Sequence, residues 1–370
     1  MWPGGRDNVR RLDFALTDDQ EALRDGARDL LDDLSSATQV RAVVEAGGGW
    51  DATLWQAMRD QGWVGVAVPE ELGGLGLGTV ELAVLLEQIG RHAAPVPFAS
   101  TVLAVASLLD AGREQEVAGL LAGSVACVAW SRRADAVRAD PAGSDWVLEG
   151  RPDPVLYAPS ASLAVVVATT GHGPALFSVV LGDDGNAEPA MDRTRELGWL
   201  HFAETPATRL GGADAVNALL DRGATYAAAE MLGGADRVLE MAVEYAKERV
   251  QFARPIGSFQ AVKHRCADML VDVEGMRSSA YWAAWCLGAG DRDRSIAAST
   301  AKIWCSDASK RVMASGLQVH GGIGFTWEHD LHLFLKRAQL DQVSFGDSSY
   351  HRERLAALLR PRVEAGESIL

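Results

Sequence analysis

The 370-residue sequence predicts a mainly α-helical protein with a β domain in its middle. Three observations carry this. Apolar residues recur at helical spacing through the first third. From Ser124 to Leu210 they fall into short β-branched runs between Gly, Pro, Asp and Ser clusters. After Gly212 helical periodicity returns and persists. The expected units are an N-terminal helical domain over 1–122, a small β domain over 123–212 and a helical bundle over 213–370.

Each element has a local cause. Thr17 stands where a helix N-cap belongs, with Gln20 placed to close a capping box. Leu23, Ala27, Leu30, Leu31 and Leu34 then form one apolar face. A second helix is expected over Thr53 to Asp60. The run GWVGVAVPEELGGLGLG from Gly62 holds too many glycines, and a proline, for a helix interior. Helices resume over Thr79 to Arg91 and through much of Thr101 to Leu121. SVACVAW, WVLEG, LAVVVATT and ALFSVVLG read as strands. Beyond Gly212, Val238, Leu239, Ala242, Val243 and Ala246 make one stripe. Val262, Cys266, Met269, Leu270, Val273 and Met276 make another, and a third long helix spans about Ser295 to Leu317. Long helices with short connections form a bundle.

Composition narrows the function classes. With 48% hydrophobic and 23% charged residues, the chain is a globular protein and not a disordered one. A net charge of -15 with no clustered basic face excludes nucleic acid as a partner. Cys127, Cys266, Cys286 and Cys305 have no CxxC spacing and no companion histidines, so they read as small hydrophobes in a reduced protein, and no metal site is expected. The start, MWPGGRDNVRRLDF, lacks the apolar core of a signal peptide, and no stretch reaches the roughly 18 apolar residues of a membrane span. A cytoplasmic protein is expected.

YAKERVQFARPIGSFQ begins at Tyr245, and QVHGGIGF runs from Gln318 to Phe325. Together with the run from Trp55 to Arg91 and the α, β, α order, they resemble the acyl-CoA dehydrogenases over nearly the whole chain. That resemblance implies an N-terminal α domain, a small β domain and a C-terminal four-helix bundle. It also implies FAD-dependent α,β-dehydrogenation of acyl-CoA thioesters, with an electron-transfer flavoprotein or similar acceptor. In the family these motifs contact FAD held mainly by the neighbouring subunit, and the roles fall here on Arg249, Gln251, Phe252, Gln260, Gln318, Gly321 and Gly322. The residue types suit that role, since a guanidinium gives paired, charge-assisted bonds to phosphate oxygens and a glycine turn lets backbone N–H groups approach an anion. Ala253 stands where the family usually has glycine, a small change the fold is expected to absorb.

The other half of the family site departs. Family catalysis needs a carboxylate to take the α-proton, and a well-placed base contributes roughly 10² to 10⁴ in rate. In one branch of the family that glutamate matches Phe345, with the family threonine at Asp347; in the other branch it matches Gly223. Asp221 and Asp347 lie close to the two positions and are the candidate bases, although a helix-start role for Asp221 and a turn role for Asp347 are simpler. WSRRADAVRAD replaces the family's flavin-lining loop, and PAGSD, from Pro141 to Asp145, abuts WVLEG in a later turn. The family's flavin-covering tryptophan and N5-bonding threonine fall among Pro154, Val155 and Leu156.

What the family gives to a neighbour's flavin is kept, and what it gives to its own flavin and substrate is absent. The resemblance is therefore to the base-lacking subunit of heterotetrameric, steroid side-chain type acyl-CoA dehydrogenases, paired with a second family member. Two alternatives stay open: a self-sufficient homodimer or homotetramer with a relocated base at Asp221 or Asp347, or a non-enzymatic relic of the fold. His320 and His351 have no visible partner and are assigned no chemistry. Trp282, Trp285 and Trp304 suit core or subunit packing. HDLHLFLKR, from His329, reads as an exposed helix end or its loop.

Overall fold

Thr17 starts the first helix where its spacing places it. In the computed structural model, which describes residues 15–143, 145–182 and 185–367, Thr17 caps α1 (Asp18–Leu34). The Gln20 N–H donates to Thr17 Oγ1 at 3.3 Å, and the Thr17 N–H donates to Gln20 Oε1 at 3.0 Å. The reading of the N-terminal sequence MWPGGRDNVRRLDF falls on the first 14 residues, outside the described ones. Gln20 also donates 2.7 Å to Glu81, whose other oxygen accepts the Gly78 N–H at the start of α4 (Thr79–Arg91), so one carboxylate ties two helix beginnings together.

Between them lie α2 (Ala37–Glu45) and α3 (Ala52–Asp60). Helix α2 was not expected from the sequence: it is short, and its apolar signal reduces to Val40 and Val44, both buried. The glycine-rich run after α3 makes two single 3₁₀ turns, as its breakers require. A Cβ at Gly74 would sit 2.1 Å from the Val68 carbonyl oxygen, so only glycine fits. The helix expected over Thr101 to Leu121 is in fact two, α5 (Phe98–Asp110) and α6 (Glu114–Leu121).

The β domain holds β1 (Ala126–Ala129), β2 (Val137–Ala142), β3 (Asp145–Gly150), β4 (Val155–Leu156), β5 (Leu163–Thr170), β6 (Gly173–Val180), β7 (Asn186–Glu188), β8 (Leu197–Trp199) and β9 (Phe202–Gly211). The main sheet runs β1-β5-β2-β3-β9-β6, and β6 pairs back onto β5, closing a small ring of strands. β1 and β2 both lie parallel to β5 along one of its edges. The remaining pairs of this sheet are antiparallel. The segment from Pro141 to Asp145 spans the β2–β3 hairpin, the later turn anticipated for it. β4, β8 and β7 form a separate three-stranded sheet beside the ring.

Helix α7 (Ala213–Glu248) opens the C-terminal unit, followed by the two-residue strands β10 (Val250–Gln251) and β11 (Arg254–Pro255) and helices α8 (Gln260–Gly288), α9 (Arg294–His320), α10 (Leu331–Val343) and α11 (Ser348–Glu364). HDLHLFLKR is not exposed: Leu331, Leu333 and Phe334 at the start of α10 are buried. Cys127, Cys286 and Cys305 are buried free thiols, and Cys266 is half-buried. Helices α4 and α7 cross backbone to backbone. A Cβ at Gly90 would lie 2.1 Å from the Glu230 carbonyl oxygen, and one at Gly233 1.8 Å from that of Glu87. This contact sets the height of α7 against the N-terminal unit, and with it the residues that α7 presents to the β domain.

Candidate functional site

A cavity of about 440 Å³ lies where α5, the β1 and β4 ends, α7 and the α10–α11 turn meet. Helix α7 contributes Gly223, Tyr226, Ala227 and Glu230, whose spacing puts them on one helix face. Pro154, Val155 and Leu156 form part of the wall. The structure therefore brings these positions into one cavity with Gly223, Phe345 and Asp347, and that wall is apolar.

Gly223 and Phe345, the two positions that the resemblance matches to the family base, meet directly. A Cβ at Gly223 would stand 2.6 Å from Cγ and Cδ1 of Phe345, so the phenylalanine ring occupies the space over the glycine. Phe345 has φ +54° and Gly346 φ +95°, a left-handed turn that phenylalanine adopts only under constraint. His351 supplies part of that constraint. Its Nε2 lies 2.9 Å from the Phe345 carbonyl oxygen and its Nδ1 3.3 Å from Ser299 Oγ, and burial lowers the imidazole to about 4, leaving it neutral. Trp130 leans on both Phe345 and Tyr350, with centroids 6.4 Å and 5.7 Å away.

The two candidate acids are engaged elsewhere. Asp347 caps α11, accepting the Tyr350 N–H at 2.8 Å, and lies 3.4 Å from Arg132 at the cavity rim. That backbone bond is the largest influence holding its carboxyl below the usual range. Asp221 is not a helix-start residue. It sits inside α7 with 1% exposure, bonded by Ser295 Oγ at 2.6 Å and paired with Arg354 at 2.6 Å, on the side of the helix facing α9 and α11.

Sequence reasoning missed the cavity floor. Arg195 donates from Nη1 to Asp341 at 2.6 Å and from Nη2 to Glu230 at 2.8 and 2.9 Å, with all three residues buried. Burial pushes the Asp341 carboxyl up to about 6 against the pull of Arg195. Lys302, fully buried, donates to the carbonyls of Asp341 and Gln342 at 2.7 and 3.0 Å and so fixes the end of α10 that leads into Phe345. Burial also lowers its ammonium to about 8.

The remaining predicted residues gather at the opposite end of α7, outside the cavity. Tyr245 and His320 stack at 4.8 Å, placing the end of α7 beside the end of α9. His320 thus has a structural partner, and its Nδ1 lies 2.8 Å from the Gly316 carbonyl. Phe252 and Ala253, at φ +51° and +62°, form a left-handed two-residue hairpin turn, a geometry glycine adopts without strain. Alanine is absorbed there at a cost of about 1 kcal/mol. Among the described residues, nothing bonds to the side chains of Arg249, Gln251, Gln260 or Gln318, all of which are exposed. Nothing lies within 4 Å of a Cβ built on Gly321 or Gly322. Phe252 is 87% exposed and Phe325 76%. A free guanidinium, free amides, an open glycine pair and bare aromatic rings suit a flat, phosphate-bearing ligand.

Taken together, the helical domain, strand ring and helical bundle around one inter-domain cavity define a recognisable class. Residues 17–125 match the family model described as acyl-CoA dehydrogenase, N-terminal domain, and residues 211–359 the one described as acyl-CoA dehydrogenase, C-terminal domain. The chain is 32% identical to the acyl-CoA dehydrogenase IpdE2 of Mycolicibacterium smegmatis over 343 residues, 92% of this chain and 99% of the relative. It superimposes on a subunit of the ChsE4-ChsE5 complex from Mycobacterium tuberculosis with a TM-score of 0.88 at 30% identity, covering 94% of this chain and 99% of that one. A single-residue variant of the Tcur3481-Tcur3483 steroid ACAD matches with a TM-score of 0.87 at 31% identity, with the same coverage. The chain belongs to the acyl-CoA dehydrogenase family.

Proposed function

We propose that this chain is the base-lacking subunit of a cytoplasmic, heterotetrameric acyl-CoA dehydrogenase that oxidises acyl-CoA thioesters of the steroid-degradation kind at the α,β carbons. One observation carries the reading: both family base positions hold non-acidic residues packed on each other, Phe345 over Gly223. The subunit pairs named for the ChsE4-ChsE5 and Tcur3481-Tcur3483 structures support a paired assembly. Among the described residues no helix is long and apolar enough to cross a membrane, in keeping with a cytoplasmic enzyme.

The residues at the bundle end fit FAD held chiefly by a partner subunit. Arg249 would hold its pyrophosphate, backbone N–H groups at Gly321 and Gly322 would approach its phosphates, and Gln251, Gln260 and Gln318 would bond its polar edges. Phe252 would cover an aromatic face. The flavin, when bound, would supply the hydride acceptor, with an electron-transfer flavoprotein or similar carrier as the proposed electron partner. The partner subunit supplies the carboxylate base. Asp221 and Asp347 are both engaged in ion pairs or caps, which favours the heteromer over a self-sufficient enzyme.

The test is to express the chain alone and together with a second family member that keeps its glutamate, then measure bound FAD per chain and turnover. The chain alone is expected to turn over no acyl-CoA, and the complex to bind flavin and oxidise it. One FAD per chain with acyl-CoA oxidation by the chain alone would sink the proposal. In the complex, Arg249→Ala is expected to weaken flavin retention about tenfold or more, the scale of a lost charge-assisted bond, with the fold unchanged. Unchanged flavin content in that variant would remove the role given to Arg249.

A further inference from the structure

A second cavity, of about 390 Å³, lies where the end of α1, the start of α2, the end of α4, α7 and the start of α10 meet. It shares no lining residue with the cavity beside Phe345. Arginines from three different helices line it, Arg28 on α1, Arg91 on α4 and Arg237 on α7, and their nitrogens are spent unequally. Arg91 gives both terminal nitrogens to carboxylates, Nη1 to Asp236 at 2.8 Å and Nη2 to Glu240. Arg237 uses only Nη1, on Glu240 at 2.6 Å. Arg28 has no carboxylate partner among the described residues: only its Nε is bonded, to Gln88 Oε1 at 3.2 Å. Both terminal nitrogens of Arg28 and the Nη2 of Arg237 are therefore unpaired, and all three keep accessible surface. The two carboxylates of the lining are already engaged, Asp32 with His92 Nε2 at 2.9 Å and Asp330 with Arg41 Nε at 2.5 Å. Val40, Met241, Leu333 and Phe334 add an apolar wall.

We propose that this cavity binds a phosphate group, held by Arg28 and Arg237 and carried by a small monoester whose organic part lies against the apolar wall. A planar guanidinium with free terminal N–H groups pairs with phosphate oxygens through charge-assisted bonds, whereas a neutral ligand leaves the charge of Arg28 uncompensated. A phosphate monoester has three terminal oxygens to share between two guanidiniums, where a carboxylate has two. Free inorganic phosphate offers the same oxygens without the organic part, so the apolar wall separates the two sources. The inference goes beyond the dehydrogenase reading and depends neither on flavin nor on which subunit carries the catalytic base.

Titration calorimetry on the full chain, with its partner subunit where one copurifies, compares phenyl phosphate, inorganic phosphate and phenol at low ionic strength and about pH 7.5, where a phosphate monoester is mostly a dianion. Phenyl phosphate is expected to bind and phenol is not. Arg28→Gln and Arg237→Gln are each expected to weaken phenyl phosphate about tenfold, the scale of a lost charge-assisted bond. Arg352→Gln, which removes a half-exposed arginine lining neither cavity, is expected to leave its affinity unchanged. Tighter binding of phenyl phosphate than of inorganic phosphate assigns the site to a monoester, and equal binding assigns it to free phosphate. No binding of either phosphate at millimolar concentration overturns the proposal. Binding that either cavity variant leaves unchanged, or that Arg352→Gln weakens as much, overturns it as well. The Arg237 variant keeps the test open if Arg28→Gln fails to fold, because the pair of Arg237 with Glu240 is more than a third exposed and its loss costs the fold little.

Discussion

Arg195→Met is expected to destabilise the protein by about 3–5 kcal/mol, the cost of leaving buried charges without their partner. Arg195 lies just before β8 and reaches Glu230 on α7 and Asp341 on α10, so it joins the β domain to the bundle at the cavity floor. With exposures of 6% for its own side chain and 5% and 2% for its partners', solvent cannot take its place. Next to it, Arg337 donates to Thr194 Oγ1 at 2.6 Å and to the Ala94 carbonyl at 3.0 Å, but it does not reach Glu230 and so cannot substitute. Urea unfolding midpoints measure the effect. The comparison is Arg352→Met, whose pair with Asp307 is half exposed and is expected to change stability by about 0–1 kcal/mol. Similar small losses in both variants would mean the buried network contributes no more than a surface pair. The sign with pH is also set. Because the folded Asp341 carboxyl titrates near 6 and the unfolded one near 3.8, its protonation favours the folded state, a contribution full below 3.8 and lost as pH rises through 6. An unpaired Asp341 titrates higher still, so the Arg195→Met deficit should be larger at pH 8 than at pH 5.

The elements that follow from local rules were legible in the sequence. Thr17 with Gln20 announces α1, breakers announce the glycine-rich excursion, and β-branched runs announce the strands. Helix α2 escaped because it is only nine residues long, although Ser36 and Gln39 form a capping box, and the α5–α6 break because a single residue, Gly112, carries it. The bundle-end set was legible through motifs, since Arg249, Gln260 and Gly321 lie at helix ends that three long helices bring together. The cavity floor was not. A lone Arg, Glu, Asp or Lys is by default a surface residue, and Arg195 lies 146 residues from Asp341, so nothing local shows that the two neutralise each other. Asp221 misleads for the same reason: the carboxylate that reads as a helix start is paired with Arg354, far along the chain.

Gly223→Glu, which places a carboxylate at one position proposed to match the family base, is expected to cost about 3 kcal/mol or more while Phe345 is present. A side chain there meets the Phe345 ring within 3 Å at its first carbon, and that ring also packs against Trp130, while its backbone carbonyl is held by His351. Overpacking of this kind costs about 1–3 kcal/mol, and a new buried carboxylate without a partner adds to it. Phe345→Gly removes the ring and relaxes the left-handed turn, at the expense of an enlarged cavity. If the two positions compete for one space, the double variant loses less stability than the sum of the single losses, by about 1–3 kcal/mol of coupling. Additive losses, read from urea midpoints, would show that Phe345 does not exclude a side chain at Gly223, and the proposal of a base-lacking subunit would lose its steric support. Coupling of the expected size would mean that the two positions share one space: Phe345 occupies the room that a side chain at Gly223 would need, so an acid at Gly223 is accommodated only by changing both positions.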